Sequence, residues 1–235
     1  MEVIVKPDYL QMSIAAARII ADAIQSKPNL TLCLSAGNTP TGTYRELVRL
    51  HESASVELSA VAFFFLDEYD GLIANHPESF RSYLDRELFK PAHVPAGHIH
   101  APDLNYEETI RNAGGIDLLI CGIGANGHIA FNEPGSPVDS RTRIVNLSES
   151  TMRSIQSKFK PEELPRRAIT MGLATIMESR KILLLANGKE KAAILSRAIR
   201  GLVTTDVPSS MLQLHPSVTV LTDQMALEGP RELGL

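Results

Sequence analysis

The stretch "IDLLICGIGANGHIAFNEPG", residues 116–135, carries an apolar run from Leu118 to Cys121 straight into a glycine-rich loop. Apolar residues on consecutive positions are what a strand covered on both faces requires, as in a parallel sheet flanked by helices. Gly122, Gly124 and Gly127 also fit the G-x-G-x-x-G spacing of dinucleotide loops. Such a loop should open a long helix in the first β-α unit of the chain. Here "HIAFNEPGSP" follows Gly127, and Pro134 and Pro137 prevent a long helix. The stretch also lies deep in the sequence. The glycines are therefore read as allowing close backbone approach to a ligand, in a compact loop that presents Asn126, His128 and Glu133.

Working outward, "EVIV" (2–5), "LTLCL" (30–34), "VAFFFL" (61–66), "KILLLA" (181–186) and "VTVL" (218–221) read as further strands. Asp8 is placed to cap a helix whose apolar stripe runs through Leu10, Ile14, Ala17, Ala21 and Ile24. Other helical segments fall near 41–51, 79–88, 105–112 and 189–200. The β-α alternation predicts a doubly wound α/β fold, a mostly parallel, Rossmann-like sheet with helices on both faces. A single domain over 1–235 is expected. One stretch breaks the rhythm: 148–168, "SESTMRSIQSKFKPEELPRRA", is polar, carries Pro161 and Pro165, and contains no strand-like run. It reads as a surface excursion or a lid.

The composition narrows the partners. The 235 residues are 44% hydrophobic, enough for a core without disulfides or metals. A net charge of −4 gives no reason to expect nucleic acid or an anionic membrane. No apolar run is long enough to span a bilayer, and the N-terminus lacks a signal-peptide pattern. Cys33 and Cys121 sit in strand-like runs, so buried thiols in a reducing, cytoplasmic compartment are expected.

In this fold class, ligands bind beyond the carboxyl ends of the strands. After "LTLCL" comes "SAGNTPTGTYREL" (35–47), a turn into a helix beginning near Pro40 or Thr41, with Thr39 or Thr41 as N-cap. It is either an ordinary capped turn or a phosphate site. After "VAFFFL", Asp67 is placed at the last strand position, as a turn cap or as a carboxylate with a raised pKa that abstracts a proton. After "KILLLA" comes "NGKEKAAIL" (187–195), where Lys189 and Lys191 are either solvated or directed at an anion. His93, His98 and His100 lack the cysteines or acids that would complete a metal site, and they read as surface histidines. No metal is expected.

Taken together, "SAGNTPTGTY", "LDEYDGL…NHPESFRSYL", "GIGANGHIAFNEPGS", "SRTRIVNLSEST", "AITMG", "NGKEKA" and "LQLHP" resemble the glucosamine-6-phosphate deaminases in order and spacing, from about Lys6 to Thr222. The related 6-phosphogluconolactonases share the sheet and a GHxA loop but resemble the chain less, because "FNEP" and "DEY" are deaminase features. The resemblance implies a cofactor-free conversion of glucosamine 6-phosphate to fructose 6-phosphate and ammonia. It implies that His128 assists ring opening, that Glu133 and Asn126 orient the imidazole, and that Asp67 moves a proton from C2 to C1. It places the phosphate on Gly37, Asn38, Thr39, Thr41, Gly42 and Thr43 and on Lys191, with Lys158 in the lid where many relatives carry Arg. Asn126 stands where longer members have Asp, and can position but not take up a proton. Val145 replaces a basic residue of the allosteric members, and the chain ends soon after "LTDQMALEGP". No activation by N-acetylglucosamine 6-phosphate is therefore expected. The expected partner is a small-molecule sugar phosphate, and the assembly a monomer or small homo-oligomer.

Overall fold

A computed structural model describes residues 1–227, so the last eight positions of the expected 1–235 domain lie outside the described residues. The chain begins with β1 (Glu2–Lys6), and α1 (Tyr9–Ser26) follows. As expected, Asp8 caps α1, its carboxylate accepting from the Gln11 N–H at 2.8 Å. Then come β2 (Thr31–Leu34), α2 (Asn38–Glu52), β3 (Ala62–Phe65) and β4 (Asp67–Tyr69). The short helix α3 (Phe80–Leu84) runs on into a π-helical turn over Asp85–Phe89, and β5 (Ile99–His100) and α4 (Tyr106–Asn112) follow. The second half contains β6 (Leu118–Gly122), β7 (Arg143–Asn146), α5 (Glu149–Ile155), β8 (Arg167–Thr170), α6 (Leu173–Met177), β9 (Lys181–Ala186), α7 (Ala192–Arg200), β10 (Val218–Asp223) and α8 (Gln224–Leu227).

Seven strands form one parallel sheet in the order β1-β10-β9-β6-β2-β3-β5. One buried cluster, including Met12, Ile20, Leu32, Tyr44 and Phe63, covers one face. Another, including Cys33, Phe64, Leu119, Cys121 and Leu184, covers the other. The consecutive apolar residues thus supply both faces at once, and the doubly wound α/β reading holds. Both cysteines are free and buried. Among the described residues, no helix is long and apolar enough to cross a membrane.

The sequence reading missed a second sheet, antiparallel, in the order β4-β8-β7. Two corrections follow from it. Asp67 does not end β3; Leu66 intervenes, and Asp67 opens β4. The stretch 148–168 is not free of strand, because β8 begins at Arg167. Leu66 joins the two sheets, its N–H donating to the Leu34 carbonyl at 3.0 Å and its carbonyl accepting from Met171 at 2.8 Å.

A third correction concerns α2. Its N-cap is Gly37, not Thr39 or Thr41, and no side chain caps it. Gly42 serves the packing of α2 on α1, since a Cβ there would stand 2.4 Å from Ser13 Oγ and 2.9 Å from Ser13 Cβ. Helix propensity alone favours alanine over glycine by about 1 kcal/mol. Overpacking at this contact opposes that with about 1–3 kcal/mol. Gly42→Ala is therefore expected to lower the urea midpoint. A midpoint that stays or rises would show that α1 and α2 tolerate the methyl group.

Candidate active site

A cavity of about 260 Å³ opens beyond the carboxyl ends of β2, β3 and β6. Gly37, Asn38 and Thr39 from the start of α2 line it, as do Asp67, His128 and Lys191. Phe80 and Phe131 add apolar wall. Four segments far apart in sequence thus converge where the fold class places ligands. A wider depression of about 790 Å³ lies near the opposite ends of the strands. Its Arg141 is tied to Glu178, and its Arg180 to Asp117.

Asp67 is 8% exposed, and its carboxylate accepts no hydrogen bond among the described residues. Burial first, and then the neighbouring Glu68 charge, push it up to about 8. Glu68 is differently placed. It accepts from the backbone N–H groups of Tyr69, Phe80 and Arg81 at 2.9–3.0 Å, so it fastens β4 to the first turn of α3. Burial raises its pKa, and these backbone bonds oppose the rise. One carboxylate is held by three backbone donors, while the adjacent one faces the cavity without a donor among the described residues.

The opening glycines have a steric purpose. A Cβ on Gly124 would lie 2.2 Å from Cε1 and Nε2 of His128, so the imidazole rests against bare backbone. Asn126 accepts from the His128 backbone N–H at 3.2 Å and donates through Nδ2 to Glu133 Oε2 at 2.6 Å. Glu133 Oε2 also stands 3.5 Å from His128 Nδ1, a buried nitrogen without a hydrogen-bond partner among the described residues. Burial would raise the Glu133 pKa, but donors on His128, Thr151 and Asn126 outweigh it and hold the carboxyl at about 2. Asn126 thus supplies a donor to an ionised carboxylate, something an ionised Asp at the same position could not do.

At the phosphate side, the uncapped first turn of α2 presents N–H groups of the kind that attract anions. Thr39 Oγ1 donates to Asn187 Oδ1 at 2.7 Å. Lys191 ends a short turn over Lys189–Lys191 and pairs with no carboxylate within 4.0 Å among the described residues. Burial lowers its pKa, with Glu190 opposing. Three expected phosphate residues do not line the cavity. Thr41 bonds Gly37 O and Tyr83, Gly42 packs on Ser13, and Thr43 is fully buried. Lys158 sits on an exposed turn, also off the cavity wall. His98 faces the Val61 carbonyl and His100 stacks on Phe64, and neither belongs to a metal-holding cluster among the described residues.

The family described as Glucosamine-6-phosphate isomerases/6-phosphogluconolactonase matches residues 9–221. The chain belongs to that family. The chain is 43% identical over 237 residues to the glucosamine-6-phosphate deaminase of Thermoanaerobacter pseudethanolicus, covering 96% of this chain and 94% of that one. It is likewise 43% identical over 241 residues to glucosamine-6-phosphate deaminase 2 of Bacillus subtilis, covering 97% of each. Among solved structures, a monomeric glucosamine-6-phosphate deaminase superposes with a TM-score of 0.92 at 39% identity, covering 96% of this chain and 98% of that one. The Gly-rich loop of this family member packs around the His128 imidazole and opens no long helix.

The environment of Asp67 has a consequence for stability. The folded protein keeps its proton up to about pH 8, whereas an unfolded chain releases it near the ordinary value of 3.8. Stability therefore falls as pH rises through that window, by at most about 1.4 kcal/mol per pH unit from this group. Asp67→Asn is expected to be most stabilised relative to the parent at pH 8–9, the advantage shrinking toward pH 4. Parallel unfolding curves at all pH values would contradict the raised pKa.

Proposed function

We propose that this protein converts glucosamine 6-phosphate and water to fructose 6-phosphate and ammonia. The observation that carries the reading is the buried, unbonded Asp67 carboxyl facing the same cavity as His128 and Lys191. The 43% identity to proteins named glucosamine-6-phosphate deaminase supports it across nearly the whole chain.

In this reading, the substrate phosphate rests on the first turn of α2 and on Lys191. His128 moves a proton between the ring oxygen and the C1 hydroxyl, opening the pyranose. Glu133 and Asn126 hold the imidazole for that transfer. Asp67 then removes the C2 proton to give an enolamine and returns a proton at C1. Water hydrolyses the resulting C2 imine and releases ammonia. A carboxyl that titrates near 8 is a stronger base than an ordinary one, and a protonated amine on C2 beside it favours its ionised form. Residues 148–168 act as a lid within one domain, and Lys158 reaches the phosphate only when that segment closes. The protein works as a monomer or small homo-oligomer. Its buried free thiols suit a reducing cytoplasm.

The test is ammonia release from glucosamine 6-phosphate, run with EDTA and no added cofactor. Ammonia should appear in step with fructose 6-phosphate, and Asp67→Asn should abolish it while leaving sugar-phosphate binding largely intact. Silence on this substrate with hydrolysis of 6-phosphogluconolactone would overturn the proposal.

A further inference from the structure

We propose that Thr151, with Ser148 beside it, is a positioning residue of the reaction centre. Its hydroxyl locks the Glu133 carboxylate in place against His128, and so ties the first turn of α5 to the chemistry. The proposal rests on the deaminase reading only for the reaction that it names.

The lock is built from uncharged donors. Glu133 Oε2 faces His128 and receives Asn126 Nδ2, whereas Oε1 points the other way, to α5. There it accepts from Thr151 Oγ1 at 2.7 Å and lies 3.0 Å from Ser148 Oγ. A hydroxyl carries a single hydrogen. That of Ser148 has three acceptors in reach: Glu133, Ser150 and Thr151. The Thr151 hydroxyl donates to Glu133, so it is the committed donor. Ser148 in turn accepts from the Thr151 N–H at 3.1 Å as the N-cap of α5. The cap of the helix and the support of the carboxylate are therefore one network.

With Thr151 on one oxygen and Asn126 on the other, the carboxylate plane is held, and Oε2 is kept 3.5 Å from the buried His128 Nδ1, the nitrogen whose proton decides the tautomer. His128 is the titratable group facing Glu133; Asn126, Ser148 and Thr151 carry no charge. The low pKa of Glu133 agrees with a carboxylate that several donors hold ionised. The lock also links the start of the 148–168 segment to His128 through two side chains. Displacing α5 would release Oε1 and leave Glu133 free to turn.

The test compares Thr151→Val, which keeps the size and the N–H bond to Ser148, with Thr151→Ser, which keeps the hydroxyl. Two readouts are used: kcat and KM for ammonia release from glucosamine 6-phosphate, and the 15N resonances of the His128 ring in the free protein. Thr151→Val should lower kcat about tenfold or more with little change in KM, and Thr151→Ser should restore most of the rate. In the ring spectrum, the Nδ1 resonance should move from a protonated nitrogen toward a mixture of tautomers in Thr151→Val alone. Should valine crowd the site, Thr151→Ala carries the same test. A kcat within twofold of the parent and an unchanged ring spectrum would overturn the lock. If the parent releases no ammonia, the ring spectrum decides alone: a shift keeps the lock and removes only the reaction, and no shift removes both.

Discussion

The backbone of Met171 holds the reaction centre together. Its N–H donates to the Leu66 carbonyl at 2.8 Å, and its carbonyl accepts from Asn132 Nδ2 at 2.7 Å. The first bond fixes the step at which the chain leaves the parallel sheet, one residue before Asp67. The second anchors the loop that carries His128. Thr170, the preceding residue, pairs with Asp67 across the small sheet and accepts from the Phe131 N–H. Asp67 and the loop of His128, from two separate strand ends, are thus both referenced to Thr170 and Met171, where β8 ends. Positioning of this kind requires rigid elements rather than loops, and the small sheet provides them.

From that frame the division of labour between carboxylates follows. Asp67 is buried and Glu68 and Glu133 are partly buried, yet they meet different fates. Glu68 is satisfied by three backbone donors and serves the fold. Glu133 is satisfied by side-chain donors and stays ionised. Asp67 has no donor among the described residues, so burial keeps it protonated to about pH 8. Environment, not residue type, assigns each its role.

Six of the seven parallel strands were legible because they are apolar at consecutive positions, a pattern that survives without any tertiary information; β5, only Ile99–His100 at the sheet edge, carries no such run. The small sheet was not. Arg143–Asn146 is only partly buried, and Arg167–Thr170 hides at the end of a charged stretch. Asp67, His128 and Lys191 could be named because each follows a legible strand. The cap of α2 was misjudged because threonines at 39 and 41 outweighed Gly37 as a signal, although their hydroxyls are engaged with Asn187 and with Gly37 and Tyr83. Thr151 and Ser148 left only a weak trace, a serine three residues before a threonine at a helix start. Nothing in the spacing says that both meet a glutamate from another loop.

The electrostatics of the site turn on Asp67 keeping its proton at neutral pH while facing the cavity. The direct test is a 13C titration of side-chain carboxyls in the free protein, with Asp67→Asn identifying the resonance. A midpoint near 8 for Asp67, well above the ordinary aspartate value of 3.8, is the predicted result. A midpoint near that ordinary value would mean that water or an unseen donor satisfies the carboxylate, and would contradict its burial without a partner.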